Sequence, residues 1–321
     1  RSTLFPYTTL FRSSIGRMDT NVDGQPIVVY NNEAFPVTTV CKINLPEEWK
    51  GKACRVTNQN GNTVASQIVE EHGQTMLLFQ AALPSSGLAV YSLRASGKNL
   101  HTPVLSTREV ENSVYRLRVN EYGDIVSLID KRTDRELVAQ DQCIGLAVFD
   151  DCPSYRWPAW EILKSTLDKK PVSVRDHAEV SVVVGELRKT IIVKKQYGQS
   201  VIEQRIHLYE GEQAVRIDFE NTVDWRSSNA LLKAVFPLTA SNPKATYDIG
   251  LGSVQRGNNC ENMFEVYAHR WSDLTDVSGN YGVTIMNDSR YGWDKPDDHT
   301  LRFSLLYTPK TDGNYAYQEQ S

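Results

Sequence analysis

The chain has 321 residues and a formal net charge of -4, from 35 Lys and Arg against 39 Asp and Glu. That length suits two domains of roughly 100–200 residues, each able to bury its own core, and 40% hydrophobic with 23% charged residues excludes wholesale disorder. So balanced a charge gives no electrostatic case for a nucleic-acid or anionic-membrane partner, and no apolar run approaches the roughly 18 residues of a membrane span.

The first residue is Arg1, and Thr3 to Ser13 reads TLFPYTTLFRS, eleven consecutive residues that resemble the translation of a common sequencing adapter. Residues 1–13 are therefore set apart as a non-native segment, and the natural start of the protein is expected upstream. From Ile27 the signals are those of strands broken by turn residues. IVVY precedes Asn31-Asn32, and VTTVCKI follows. The stretch from Ala53 to Val69 reads as a hairpin whose two arms flank Asn60-Gly61, a dipeptide suited to a type I′ turn with two positive φ values. TMLLFQAAL and LAVYSLRA complete the set by Ala95. Residues 14–107 are expected to form a small β-sandwich.

A second region, 108–321, opens with YRLRV, a turn at Glu121 to Asp124, and IVSLI. Three longer arms follow from Ala178 onward, with charged and apolar residues alternating, and then AVRIDFENTVDW. Long strands with short polar connections predict a large antiparallel sandwich rather than a βα fold. One short stretch, near Asn229 to Lys233, reads as helical. The fold class expected is all-β: a small sandwich followed by a large, antiparallel supersandwich whose C-terminal end is incomplete.

No HExxH, P-loop, GxSxG or GxGxxG occurs, and the six histidines are dispersed without metal-ligand spacing. The five cysteines (Cys41, Cys54, Cys143, Cys152 and Cys260) form no CxxC pair, which argues against a zinc ribbon or disulfide framework and for a reducing, cytoplasmic compartment. Three segments carry chemistry-bearing residues. The first, FDDCPSYRWPAWEI, sets Asp151, Trp157 and Trp160 in a Pro-broken stretch. Indole faces beside carboxylates suit sugar rings, whose C–H faces stack while hydroxyls donate to acids; the same rings equally serve to plug a sandwich core. In the second, DIGLGSVQRGNN, glycines surround Arg256, whose forked guanidinium suits hydroxyl or carboxylate oxygens, although a surface turn with a solvated Arg reads the same way. The third runs from Glu265 to Trp293, where His269 beside Trp271 fits either a ligand-contacting or a hydrogen-bonded core histidine.

These segments resemble the C-terminal β region of glycoside hydrolase family 38 α-mannosidases, within the branch of bacterial and cytosolic or vacuolar members. The run EVYAHRWSDLTDVSGNYGVTIMNDSRYGWDKPDDHTLRFSLLYTP carries most of the likeness. VYNNEAFPVTTV is similar to the strand that opens the family's first β-domain. ENSVYRLRVNEYGDIVSLIDKRTDREL is similar to the start of its galactose-mutarotase-like supersandwich. The likeness is collinear over nearly all of residues 20–310.

The resemblance implies a retaining exo-α-mannosidase as parent, in which two carboxylic groups act across the glycosidic bond and a zinc ion holds the sugar hydroxyls. It places both carboxylates and the zinc ligands in an N-terminal barrel that this chain does not contain. No catalytic residue, metal ligand or cofactor is therefore carried over to this chain. Asp151, Trp157, Trp160 and Arg256 are expected as its contacts to a mannose-containing oligosaccharide, with the catalytic barrel as its physical partner. The sequence departs from the family at Arg156 and Pro158: the expected Tyr-Trp-Asp-Ala-Trp-Asp is replaced by RWPAWE, which leaves no acid before Ala159. The alternative is a stand-alone carbohydrate-binding β-sandwich module, favoured if Trp157, Trp160 and Trp293 lie exposed and coplanar. The N-terminal reading yields a direct test. Deleting residues 1–13 should leave the melting temperature unchanged, and a drop of several degrees would show that this segment pairs as a native strand.

Overall fold

The computed structural model describes residues 19–97, 100–150, 152–153, 162–257 and 264–287, together with the backbone of 300–309. As the alternating pattern predicts, it is an all-β protein. Among the described residues the helical pieces are the four-residue Lys164–Leu167 and two single 3₁₀ turns, Glu47–Trp49 and Gly211–Val215. The chain divides into two compact units, Arg1–Thr102 and Pro103–Ser321. Residues 1–13 lie outside the described residues.

In the first unit the strands are β1 (Gln25–Asn31), β2 (Val37–Asn44), β3 (Cys54–Asn58), β4 (Thr63–Val64), β5 (Ser66–Glu71), β6 (Gln74–Leu83) and β7 (Gly87–Ala95). They form two antiparallel sheets, ordered β1-β7-β3-β4 and β2-β6-β5. Val56, Tyr91 and Leu93 from one sheet and Ile68, Leu77 and Phe79 from the other meet in a single apolar cluster, the mark of a sandwich. The expected hairpin around Asn60-Gly61 exists but differs in two respects. Gly61 alone takes a positive φ, +78°, while the Asn58 side chain accepts the amides of Asn60 and Asn62. The turn is thus an Asn-capped one, not type I′. The second arm pairs with β3 only through Thr63 and Val64, then crosses to the other sheet as β5.

The second unit contains β8 (Val104–Leu105), β9 (Glu109–Glu111), β10 (Tyr115–Val119), β11 (Ile125–Asp130), β12 (Arg135–Glu136), β13 (Gly145–Phe149), β14 (Val172–Ser173), β15 (Asp176–Val184) and β16 (Arg188–Tyr197). It continues with β17 (Ser200–Tyr209), β18 (Arg216–Asp224), β19 (Leu231–Val235), β20 (Lys244–Asp248), β21 (Ser253–Gly257), β22 (Trp271–Thr275), β23 (Tyr281–Asn287) and β24 (Thr300–Pro309). Ten of them make one sheet in the order β21-β20-β22-β23-β24-β18-β17-β16-β15-β8. A four-stranded sheet, β12-β11-β10-β9, and a three-stranded one, β14-β13-β19, are separate from it. Tyr115, Leu117 and Leu128 of the four-stranded sheet pack with Ile191, Val193, Ile206, Phe219 and Val283 of the ten-stranded one. Leu146 and Val148 of β13 join Ile202 and Val223 in a second cluster, where Tyr197 and Trp225 stack at 5.9 Å.

The helical reading near Asn229 to Lys233 is corrected: Leu231–Val235 is β19, paired residue by residue with β13. Leu, Lys and Ala favour helices, but a five-residue run is too short for propensity to outweigh a ladder of cross-strand hydrogen bonds. The other face of β16–β18 is polar and largely buried. Thr190, His207 and Asp218 lie side by side across the three strands, with Arg205 and Glu220 in an adjacent row. Arg188, Thr190, His207, Arg205 and Glu220 are all buried. Thr190 Oγ1 and His207 Nδ1 share a 2.9 Å hydrogen bond, Arg205 pairs with Glu203 at 2.6 Å and Arg216 with Asp218 at 2.8 Å.

Lys195 sits where the two apolar clusters of the second unit adjoin, two residues beyond Val193 and opposite Ile202. Its side chain is wholly buried and donates at 3.3 Å to Asp124 Oδ1, while Arg175 Nε donates at 2.8 Å to Asp124 Oδ2. Gly145 makes room for that carboxylate, since a Cβ there would stand 2.7 Å from Asp124 Oδ1. Burial pushes the Lys195 ammonium below its ordinary pKa, and the charge of Asp124 opposes this. Asp124→Asn should therefore cost about 3–5 kcal/mol at neutral pH by stranding a buried cation. Adding Lys195→Met should restore most of the loss. Because Lys195 binds its proton less tightly folded than unfolded, its contribution to stability rises with pH through the window that ends at the ordinary lysine value. The deficit of Asp124→Asn should accordingly shrink as the solution becomes alkaline. Denaturant melts between pH 7 and pH 10 check both statements, and a deficit that is small or grows with pH contradicts them.

Candidate functional site

The segment DIGLGSVQRG is a β-hairpin. β20 and β21 pair from Lys244–Gly257 to Asp248–Ser253, and the turn closes with the Ile249 amide donating to the Gly252 carbonyl at 3.1 Å. The glycines serve the tip: Gly250 has φ +91° and Gly252 φ +127°, values that side chains disfavour. Arg256 thus lies on a strand and not in a Gly-flanked loop as the sequence suggests. β21 ends the order of the ten-stranded sheet, so Arg256 is carried at its edge.

Cross-strand register fixes which side chains share a face. Arg256 opposes Ala245, and Val254 opposes Tyr247, so all four project to the same side. The Arg256 guanidinium lies 5.4 Å from the Tyr247 ring centroid and donates from Nη1 to the Tyr267 carbonyl at 2.7 Å. That carbonyl belongs to a strap, residues 264–270, laid along the hairpin. Asp248 fastens the strap. Its backbone carbonyl accepts the His269 amide at 2.8 Å, and its Oδ2 accepts the Arg270 amide at 2.9 Å. Its Oδ1 accepts the Gly250 amide at 2.8 Å, closing the hairpin tip. The His269 ring stands with Nδ1 3.7 Å from Asp248 Oδ2 and is one-third exposed. At the other end of the strap, Glu265 forms an ion pair with Lys233 of β19. Below the hairpin is an apolar cavity of about 350 Å³, bordered by Phe236, Tyr247, Phe264, Val266 and Leu274.

Of the residues expected from sequence to contact a sugar, Arg256 is described, and Asp151, Trp157 and Trp160 lie outside the described residues, as does Trp293. β13, the strand that precedes Asp151 in the chain, neighbours a strand that is tied to the strap. β13 ends at Phe149, and Ala147 on it opposes Lys233, the partner of Glu265 in the strap. Lys233 and Glu265 thus anchor the strap to the strand beside β13. Sequence reading missed this anchor and the Asp248 clamp. A signal for the clamp was present: Asp followed two residues later by Gly is the signature of an Asx-turn. His269 is half-buried against that clamp, not a core residue.

Among the described residues, no group of three or more His, Cys, Asp or Glu side chains could hold a metal ion. Burial and then the Asp124 charge push the Cys143 thiol up, which disfavours its thiolate form. Cys41, Cys54, Cys143 and Cys152 form no disulfide. No helix among the described residues is long and apolar enough to cross a membrane.

Residues 110–315 match the model of the glycosyl hydrolases family 38 C-terminal domain. The chain belongs to that family. Alpha-mannosidase 2C1 of Mus musculus is 31% identical over 210 residues, which cover 63% of this chain and 20% of that protein, and the Homo sapiens protein gives the same figures. Alpha-mannosidase G of Dictyostelium discoideum is 28% identical over 216 residues, covering 63% of this chain and 19% of that protein. The chain thus spans about a fifth of the length of the curated relatives it matches. Among solved structures, a family 38 glycosyl hydrolase from Enterococcus faecalis superposes with a TM-score of 0.70 at 14% identity, covering 98% of this chain and 48% of that one. An alpha-mannosidase from Enterococcus faecalis V583 superposes with a TM-score of 0.61 at 15% identity, covering 96% and 43%. At such identities the structural likeness is one of fold, and it agrees with the all-β architecture of this family 38 chain.

Proposed function

We propose that this chain is the accessory β-region of a retaining exo-α-mannosidase and that its β20–β21 edge forms part of the wall of the substrate cleft. The observation that carries the reading is the presentation of Arg256. Its guanidinium is held from one side by the Tyr267 carbonyl and from another by the Tyr247 ring, while the side chain remains partly exposed. An arginine held in this way has already lost much of its rotamer freedom, so less entropy is lost when its remaining donors meet an oxygen. Hydroxyls of a terminal mannose, or a carboxylate that positions the sugar, are the acceptors this arrangement suits. Asp151, Trp157 and Trp160 belong to the same wall in this reading, the acid accepting hydroxyl protons and the indoles stacking on C–H faces. The curated relatives are named as α-mannosidases, which supports the substrate class.

Bond cleavage falls to two carboxylic groups, one protonating the leaving oxygen and the other attacking the anomeric carbon. Those groups, and a zinc site, are assigned to the part of the enzyme that lies outside this chain. What these residues contribute is binding and orientation. The purified 321-residue chain should therefore show no hydrolysis of an aryl α-mannoside above background, with or without added zinc; zinc-dependent turnover would defeat the proposal. In the intact enzyme, Arg256→Ala should lower kcat/KM by about tenfold or more, the scale of one charged hydrogen bond. The fold should survive, and unchanged kinetics would remove Arg256 from the cleft.

A further inference from the structure

We infer that Asp248 is a positioning residue for Arg256, acting through the backbone of the strap without touching the guanidinium; its relevance to catalysis rests on the cleft-wall reading above. The geometry forms a relay. Asp248 is buried, with 6% of its surface exposed, and its carboxylate takes one backbone amide on each oxygen. The amide on Oδ2 comes from Arg270, and the backbone carbonyl of Asp248 holds the neighbouring His269 amide. Two residues before His269 stands Tyr267, whose carbonyl receives Arg256 Nη1. The same carboxylate, through Gly250, closes the hairpin whose register sets Arg256 beside the Tyr247 ring. One side chain thus fixes both the strand that carries Arg256 and the carbonyl that holds it.

The chemistry demands a carboxylate. An amide offers one oxygen, so in Asp248→Asn either the Gly250 or the Arg270 amide would face an NH₂ group, donor against donor, in a site with little access for water. Loss at Arg270 lets the strap shift, and with it the Tyr267 carbonyl. Loss at Gly250 instead loosens the hairpin tip and the register that places Arg256. In either case the guanidinium is released while the central strands of the sheet are untouched.

Two measurements test this separately. In the 321-residue chain labelled with ¹⁵N-arginine, the Arg256 guanidinium should give a resolved, slowly exchanging resonance, identified by its absence in Arg256→Lys. Asp248→Asn should collapse that resonance to the solvent-averaged position and leave the amide signals of β16–β18 in place. Persistence of the resonance overturns the inference. Should Asp248→Asn fail to fold, Asp248→Glu, which keeps both acceptors but displaces them by a methylene, should produce the same collapse, and an unmoved resonance there overturns it equally. In the intact enzyme, Asp248→Asn should lower kcat/KM by up to the factor seen for Arg256→Ala, and the double variant should be no worse than Arg256→Ala alone. Additive losses overturn the relay. A collapsed resonance with kinetics unmoved by either variant upholds the positioning and overturns the cleft-wall reading.

Discussion

Ten strands hydrogen-bonded into one antiparallel sheet impose a constraint on everything else in the second unit, because β16–β18 bury side chains on both faces. On one face the demand is met in the ordinary way. Ile191, Val193, Ile206 and Phe219 face the four-stranded sheet, and burying such side chains contributes about 1.5–3 kcal/mol each. On the other face the sequence supplies Arg, His, Thr and Glu. Charged groups can be buried only when paired, and the ion pairs and hydrogen bonds of Thr190, His207, Arg205, Arg216 and their neighbours answer that need. Lys195 is the exception on the apolar face, tolerated because Asp124, itself paired with Arg175, meets it where the two apolar clusters adjoin.

A sheet of this breadth also has edges, and an edge strand offers unpaired backbone groups that invite a partner. β21 is one such edge, and a strap, residues 264–270, is fastened to the hairpin it forms with β20. The strap is fastened at three points that depend on side chains: Lys233 with Glu265, Arg256 with the Tyr267 carbonyl, and Asp248 with the Arg270 amide. None of these contacts is strong on its own, since exposed ion pairs and single hydrogen bonds each contribute on the order of 1 kcal/mol. Their joint effect is geometric. They hold one guanidinium in place on the rim of the sheet.

The fold was legible wherever burial alternates along a strand. YRLRV became β10 because Tyr115, Leu117 and Val119, every second residue, meet the core, while in IVSLI a register shift between Ile125 and Ser127 interrupts the alternation of β11. NALLK, Asn229 to Lys233, was misread because five residues do not define a period, and only the pairing of Leu231–Val235 with β13 decides the matter. The alternation of charged and apolar residues in β15–β17 correctly gave strands but left open what lies against the polar side. Sequence cannot show that the polar side is covered, since burial belongs to tertiary packing. The site was legible in part for the same reason. Arg256 stood out among glycines, yet those glycines serve a turn three residues away from β21's centre, and the partners that matter, Tyr247 and the Tyr267 carbonyl, are set by register and by a strap contact. A backbone acceptor has no sequence signature at all.

The central claim is that the β20–β21 edge of this family 38 chain lines a mannoside-binding cleft. A crystal structure of the intact enzyme bound to a mannose-configured inhibitor measures this most directly. The account predicts an Arg256 nitrogen within about 3.2 Å of a sugar oxygen, or of a carboxylate that itself touches the sugar. A structure that places Arg256 and Tyr247 on the outer surface of the enzyme, with the inhibitor bound elsewhere, would contradict it.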